Sequence, residues 1–201
     1  AALYLEHGGY QHALVIGAET LSKMMDWTDR STCVLFGDGA GAAVLSASKE
    51  DGILSMVQGS DGFRGDVLNC MARKVNNPYK KSDTALSYVS MNGQEVYRFA
   101  VKTVPKAVTD AVEQAGLQLE EVDLFLLHQA NYRIIEAVSK RLGQPMEKFP
   151  TNLEECGNIS AASVPILLDN VNNHGMMRKG MKIVLAGFGA GLTWGATVIN
   201  W

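Results

Sequence analysis

No stretch of this chain approaches the roughly 18 consecutive apolar residues that a membrane-spanning helix requires, and no secretory signal opens it. The expected address is therefore the cytoplasm. Runs of Lys and Arg are also missing. Eighteen basic residues stand against 21 acidic ones, a formal charge of −3. Phosphate backbones are bound by concentrated positive charge, so nucleic acid is not an expected partner, and neither is a membrane. Cysteine is scarce. Cys33, Cys70 and Cys156 are odd in number, far apart and without metal-ligand spacing, so reduced thiols and no metal site are expected. Low-complexity tracts are absent. What remains is a chain of 201 residues, 47% apolar, enough to bury one sizeable core or two small ones.

Residues 1–6 read as the apolar end of a helix stopped by Gly8 and Gly9, with no start signal and no initiator Met ahead of it. A fragment, or one piece of a nicked protein, is the expectation. Residues 12–19 form a nearly continuous apolar run, suited to a strand buried on both faces in a parallel α/β protein. A polar connection through Trp27 and Arg30 leads to an apolar stretch around Cys33, read as strand, and to Gly37, Gly39 and Gly41. Two further strands follow over 42–47 and 53–58. From Gly59 to Ser87 the pattern dissolves into small and polar residues with Pro78 inside, the best place for a boundary between two halves.

The second half opens with Asn92 as a helix cap and Glu95 three residues on. Apolar residues from Val96 to Val112 recur at helical spacing until Gly116, and Pro105 should bend the helix. Residues 122–127 read as a buried strand with His128 at its carboxyl end. Helices are expected over 131–142, stopped by Gly143, and over 160–173. Strands over 182–186 and 192–199 flank a glycine turn at 187–191.

Three features stand out against this apolar background. His128-Gln129-Ala130-Asn131 sits at a strand end, a common place for chemistry in α/β proteins, although a single histidine there is more often simply packed. Gly157-Asn158-Ile159-Ser160 precedes a helix that Asn158 would cap. The stretch from Gly187 to Gly195 lets backbone approach another group closely, as any tight turn does. Taken together and in order, these three, with the earlier stretch from Asp26 to Ala43 that contains Arg30, Gly37 and Asp38, resemble β-ketoacyl-acyl-carrier-protein synthase III.

The resemblance implies an α/β thiolase fold, two similar halves stacked in five αβαβα layers. Residues 1–60 would be the end of the first half, 61–87 a connecting region and 88–201 the complete second half. The implied activity is an acyltransferase: a decarboxylative Claisen condensation of a short acyl-coenzyme A with malonyl-acyl-carrier protein, starting fatty-acid synthesis. No cofactor beyond the coenzyme A thioester substrate is implied. His128 and Asn158 match the catalytic pair that donates hydrogen bonds to the enolate oxygen, which requires a neutral imidazole. The backbone N–H of Ala190 matches an oxyanion-hole donor, at a position where many relatives carry glycine. Arg30 and Asn131 match coenzyme A contacts, Arg133, Lys140 and Arg141 the carrier-protein surface, and Met91 and Tyr97 the acyl pocket.

The family nucleophile is a cysteine placed just ahead of residue 1, so this chain alone is expected to be inactive. Partners implied are acyl-coenzyme A, malonyl-acyl-carrier protein, a second copy in a homodimer, and the chain's own preceding half. Rival readings are another thiolase-fold condensing enzyme, such as a type III polyketide synthase or a hydroxymethylglutaryl-coenzyme A synthase, or a non-catalytic fragment. Nucleotide binding through Gly37, Gly39 and Gly41 is disfavoured because these glycines lead into a strand, whereas phosphate cradles open a helix.

Overall fold

The computed structural model describes residues 1–50, 52–70, 79 and 87–201. A short helix α1 (Ala2–Glu6) ends at Gly8, whose φ of 74° is the left-handed stop that glycine permits. It leads into an antiparallel pair, β1 (His12–Thr20) and β2 (Asp38–Ser46). Strand β3 (Ile53–Ser60) then enters a second sheet. The two-residue strands β4 (Leu68–Asn69) and β5 (Ser90–Met91) pair with each other. The long helix α2 (Gly93–Gln114), strand β6 (Leu124–Leu127) and helix α3 (Tyr132–Leu142) follow. After them come α4 (Leu153–Cys156), α5 (Ser163–Asn173), β7 (Lys182–Gly189) and β8 (Thr193–Asn200).

The second sheet has the order β3-β8-β7-β6. Only β6 and β7 run parallel; β8 is antiparallel to both β7 and β3. The sheet is mixed rather than parallel as expected, because β7 and β8 are joined by a tight hairpin and not by a crossover. Its two faces are both apolar. Phe125, Leu127, Val184, Ala186 and Val198 point to one side and pack with Val104, Val108 and Val112 of α2 and Ile135 and Val138 of α3. Leu124, Leu126 and Ile183 point to the other and pack with Leu167 and Val171 of α5. This alternation is why every residue of β6 is buried. Helix α5 also packs against β2, so the layers run in the order hairpin β1–β2, α5, four-stranded sheet, then α2 with α3.

Local chemistry explains the helix ends. Asn92 Oδ1 accepts from the Glu95 N–H at 3.2 Å, Asn131 Oδ1 from the Arg133 N–H at 2.8 Å, and Gly143 closes α3 with φ 65°. Helix α2 runs on past Pro105 to Gln114 and ends before Gly116, φ 72°.

Several expectations need correction. Strand β1 is not buried on both faces. Its only partner among the described residues is β2, and Leu14 and Ile16 are 61% and 60% exposed. Cys33 lies in a turn rather than a strand, and β2 begins at Asp38, so Gly39 and Gly41 sit inside it. They are small for packing reasons: a Cβ on Gly41 would run into Pro165, as one on Gly17 would run into the Ala161 carbonyl. Strand β3 belongs to the sheet of β6, β7 and β8, so the chain passes from one sheet to the other between β2 and β3, ahead of residue 60. Residues 160–162 form a 3-10 turn, and regular helix starts at Ser163. Gly187 and Gly189 belong to β7, leaving a shorter turn at 190–192. Pro78 and most of the expected connecting region lie outside the described residues. Among the described residues no helix is long and apolar enough to cross a membrane.

Candidate active site

Strand β6 ends by handing His128 to the edge of the sheet. The His128 N–H donates to the Ala186 carbonyl of β7 at 2.7 Å, which fixes the backbone at the point where the side chain leaves the core. His128 is only 8% exposed, and its ring stands edge-on to Phe188 with centroids 5.3 Å apart. Burial in this apolar setting disfavours the imidazolium and lowers its pKa to about 4. At neutral pH the ring is therefore uncharged, with one nitrogen carrying a proton to donate.

Asn158 is positioned differently. Gly157 turns the chain out of α4 with φ 66°, and Asn158 then bonds as an isolated parallel bridge to Phe36. Its N–H donates to the Leu35 carbonyl at 3.0 Å, and its carbonyl accepts from the Gly37 N–H at 2.9 Å. Its side-chain Oδ1 accepts from the Ser160 N–H at 3.0 Å. A backbone N–H can only donate, so this contact identifies the oxygen and leaves Nδ2 as a donor. Ser160 itself has φ 45°, a left-handed conformation unusual for a residue with a Cβ, at the tip of the turn that carries Asn158.

His128 and Asn158 line two adjoining cavities, and so do Phe36, Leu68, Phe188 and Gly189. The larger, about 620 Å³, is also bounded by Ala190, Thr193, Trp194 and Cys70. Among the described residues it has no charged lining group. The smaller, about 370 Å³, is bounded by Met91, Tyr97, Asn131 and Arg133. Seven of the ten residues to which the resemblance gives a role, His128 and Asn158 included, thus line these two cavities.

The others do not. Arg30 is exposed on a turn braced by Asp26 and Asp29, which accept hydrogen bonds from Thr28 and Ser31, and it lines neither cavity. Lys140 and Arg141 are exposed near the far end of α3, with Lys140 paired to Glu136 at 2.7 Å. Of the cysteines only Cys70 reaches a cavity. Phe188, inside the stretch from Gly187 to Gly195, and the buried Gln129 carry no local signal in the sequence that marks them for the site.

Chemically, this is a pair of neutral donors, the His128 ring and the Asn158 amide, in a largely apolar chamber. Such a pair stabilises negative charge developing on an oxygen, and the low local polarity strengthens each bond. No group of three or more His, Cys, Asp or Glu side chains suited to a metal ion occurs among the described residues.

Comparison with known proteins gives a consistent result along the chain. Residues 1–62 match the family described as 3-oxoacyl-[acyl-carrier-protein] synthase III, and residues 112–201 match its C-terminal counterpart. The β-ketoacyl-[acyl-carrier-protein] synthase III of Clostridium acetobutylicum is 48% identical over the whole chain, and that of Clostridium novyi 49%. The synthase III structure from Thermus thermophilus is 44% identical and superposes with a TM-score of 0.90, covering 100% of this chain and 62% of that one. The priming β-ketosynthase of the R1128 polyketide pathway is 37% identical, with a TM-score of 0.91, over 100% of this chain and 60% of that one. The chain spans 62% of the length of the two clostridial relatives.

Proposed function

This chain belongs to the 3-oxoacyl-[acyl-carrier-protein] synthase III family, a group of thiolase-fold condensing enzymes, and from that premise we propose that its site condenses a short acyl-coenzyme A with malonyl-acyl-carrier protein. The observation that carries the reading is the buried, uncharged His128 sharing a cavity wall with an Asn158 amide whose oxygen is already engaged.

The reaction has two stages. A cysteine thiolate, which the family pattern places just ahead of residue 1, attacks the acyl-coenzyme A carbonyl. The Ala190 N–H helps hold the resulting oxyanion, and its collapse expels coenzyme A as the thiolate, which takes a proton from solvent. In the second stage the malonyl carboxylate departs as carbon dioxide, and the electron pair of the broken C–C bond passes into the thioester as an enolate. The His128 N–H and Asn158 Nδ2 donate to the enolate oxygen as its charge grows. The enolate carbon attacks the acyl-cysteine carbonyl, the new C–C bond forms, and collapse expels the cysteine thiolate with the β-ketoacyl-carrier protein.

Arg30 and Asn131 are assigned to coenzyme A, with the smaller cavity as the pantetheine path. Met91 and Tyr97 border the acyl group. Arg133, Lys140 and Arg141 form the basic face for the acidic carrier protein, where exposed charge steers encounter more than it adds affinity. No cofactor beyond the thioester substrate enters this reading, and the working form is a cytoplasmic homodimer.

The test is to replace His128 or Asn158 by Ala in the intact protein and follow two steps separately. Malonyl-thioester decarboxylation should fall by about 100-fold or more, the usual cost of losing one such donor, while acylation from acetyl-coenzyme A persists. Unchanged decarboxylation in both variants would refute the assignment.

A further inference from the structure

Gln129 follows His128 directly and is 1% exposed. Its backbone N–H donates to Ser163 Oγ at 2.8 Å, its side-chain Nε2 donates to the Leu127 carbonyl at 2.8 Å, and its Oε1 accepts from the Asn152 N–H at 3.2 Å. The Leu127 carbonyl can only accept, so the orientation of the amide is determined and Oε1 is the end that meets Asn152. Asn152 immediately precedes α4 and Ser163 opens α5. Asn158 lies between them, on the arch that joins these two helices. One buried residue therefore grips both feet of the arch carrying Asn158, while its peptide bond is continuous with His128 and its amide is tied to the last residue of β6.

We infer that Gln129 is a positioning residue that sets the placement of Asn158 relative to His128, and hence the geometry of the two-donor site. The inference rests on the reaction proposed above. Two donors serve one oxygen only if both are held within a fraction of an ångström, and a displacement of about 1 Å costs on the order of 100-fold in rate. The arch has little regular structure of its own: a single turn of helix, the left-handed Gly157 and Ser160, and a 3-10 turn. Its feet are what the rigid sheet can hold. The sheet does so through buried hydrogen bonds, which lose more when one partner is removed than they contribute net when made.

A residue that merely filled the core would, when altered, weaken both stages together. A positioning residue acts on the stage that uses the two-donor site. In the intact protein, Gln129→Leu keeps an apolar side chain of similar size and removes the bonds to Leu127 and Asn152. Ser163→Ala removes only the acceptor of the Gln129 N–H. Val108→Ala, in the core under α2 on the sheet face opposite α5, is the control for lost packing. Each is measured for kcat and KM of malonyl-thioester decarboxylation and for the rate of acylation from acetyl-coenzyme A.

Decarboxylation kcat should fall about 10- to 100-fold in Gln129→Leu and about 10-fold in Ser163→Ala. Its KM and the acylation rate should stay within about two-fold, and Val108→Ala should leave the ratio of the two rates unchanged. If Gln129→Leu does not fold, Ser163→Ala carries the test. A parallel fall in both stages, or no fall in either variant, overturns the inference. His128→Ala in the same assay separates this from failure of the reaction itself: if that variant decarboxylates normally, it is the proposed chemistry that is wrong.

Discussion

His128 owes its neutral state to burial, which disfavours the imidazolium. Its folded pKa of about 4 lies below the 6.5 of a free imidazole, so the unfolded chain binds the proton more tightly. Stability should be flat above pH 6.5 and drop as pH falls from there towards 4. Between pH 7.5 and 4.5 this one group removes about 2 to 3 kcal/mol. Unfolding free energies from urea titration should fall between the two pH values by that much more in wild type than in His128→Gln, which lacks this part of the slope. Decarboxylation should likewise show no His128 inflection between pH 5 and 8, because the donor stays neutral throughout. Asn131 has a second task that its sequence position hides, since its Oδ1 caps α3. Asn131→Asp retains the cap and isolates any ligand contact, raising the KM for acyl-coenzyme A with an unchanged melting point. Asn131→Ala should lose about 1 kcal/mol of stability as well.

Elements defined by their own residues were legible in the sequence. Helix α2 announces itself through the Asn92 cap, the helical spacing of Val96 to Val112 and the glycine that follows, all of which act within a few residues. Strand β6 was legible because four consecutive apolar residues have only a core to go to. What failed depended on distant neighbours. The apolar run of β1 gives no sign that Leu14 and Ile16 are exposed, because burial is decided by what packs against a strand and not by its residues. The glycines of β2 are chemically silent: the same pattern suits a phosphate loop or a strand pressed against a helix. At the site, ordered motifs brought out His128, Asn158 and Ala190, but nothing local marks Gln129 as the link between two of them. The close approach of the hairpin to the 3-10 turn can be tested directly. Gly17→Ala would push on the Ala161 carbonyl and should destabilise by about 1 to 3 kcal/mol, as overpacking does. Since Ala161 lies three residues past Asn158, decarboxylation should fall too. Gly52→Ala, whose Cβ meets nothing within 4 Å, should match wild type in both measurements.

At the scale of the whole molecule, stability is distributed unevenly across the layers. The four-stranded sheet is covered on both faces, by α2 and α3 on one side and α5 on the other, and its central residues Leu126, Ile183, Val184 and Val198 are fully buried. The hairpin is covered on one face only. Gly17 and Gly41, paired in register, turn toward the 3-10 turn and α5. Leu14 and Val44, also paired, turn outward with Ile16, and all three are at least 60% exposed. Local opening is cheapest where few apolar contacts must break, so amide exchange in this 201-residue chain should be slowest in β6, β7 and β8 and orders of magnitude faster in β1. The outward face gives the same contrast in a mutation. Ile16→Ser removes apolar surface that is mostly in water already, so its cost here should stay within about 0.5 kcal/mol. An isoleucine buried by additional polypeptide or by a second copy would instead lose about 1.5 to 3 kcal/mol on such a change. Measured by urea unfolding in the 201-residue chain and again in the assembled homodimer proposed above, a rise from the first figure to the second would show that the outward face of β1 is covered in the assembled protein. Equal small costs in both would show that it stays in water and that the dimer contact lies on some other face.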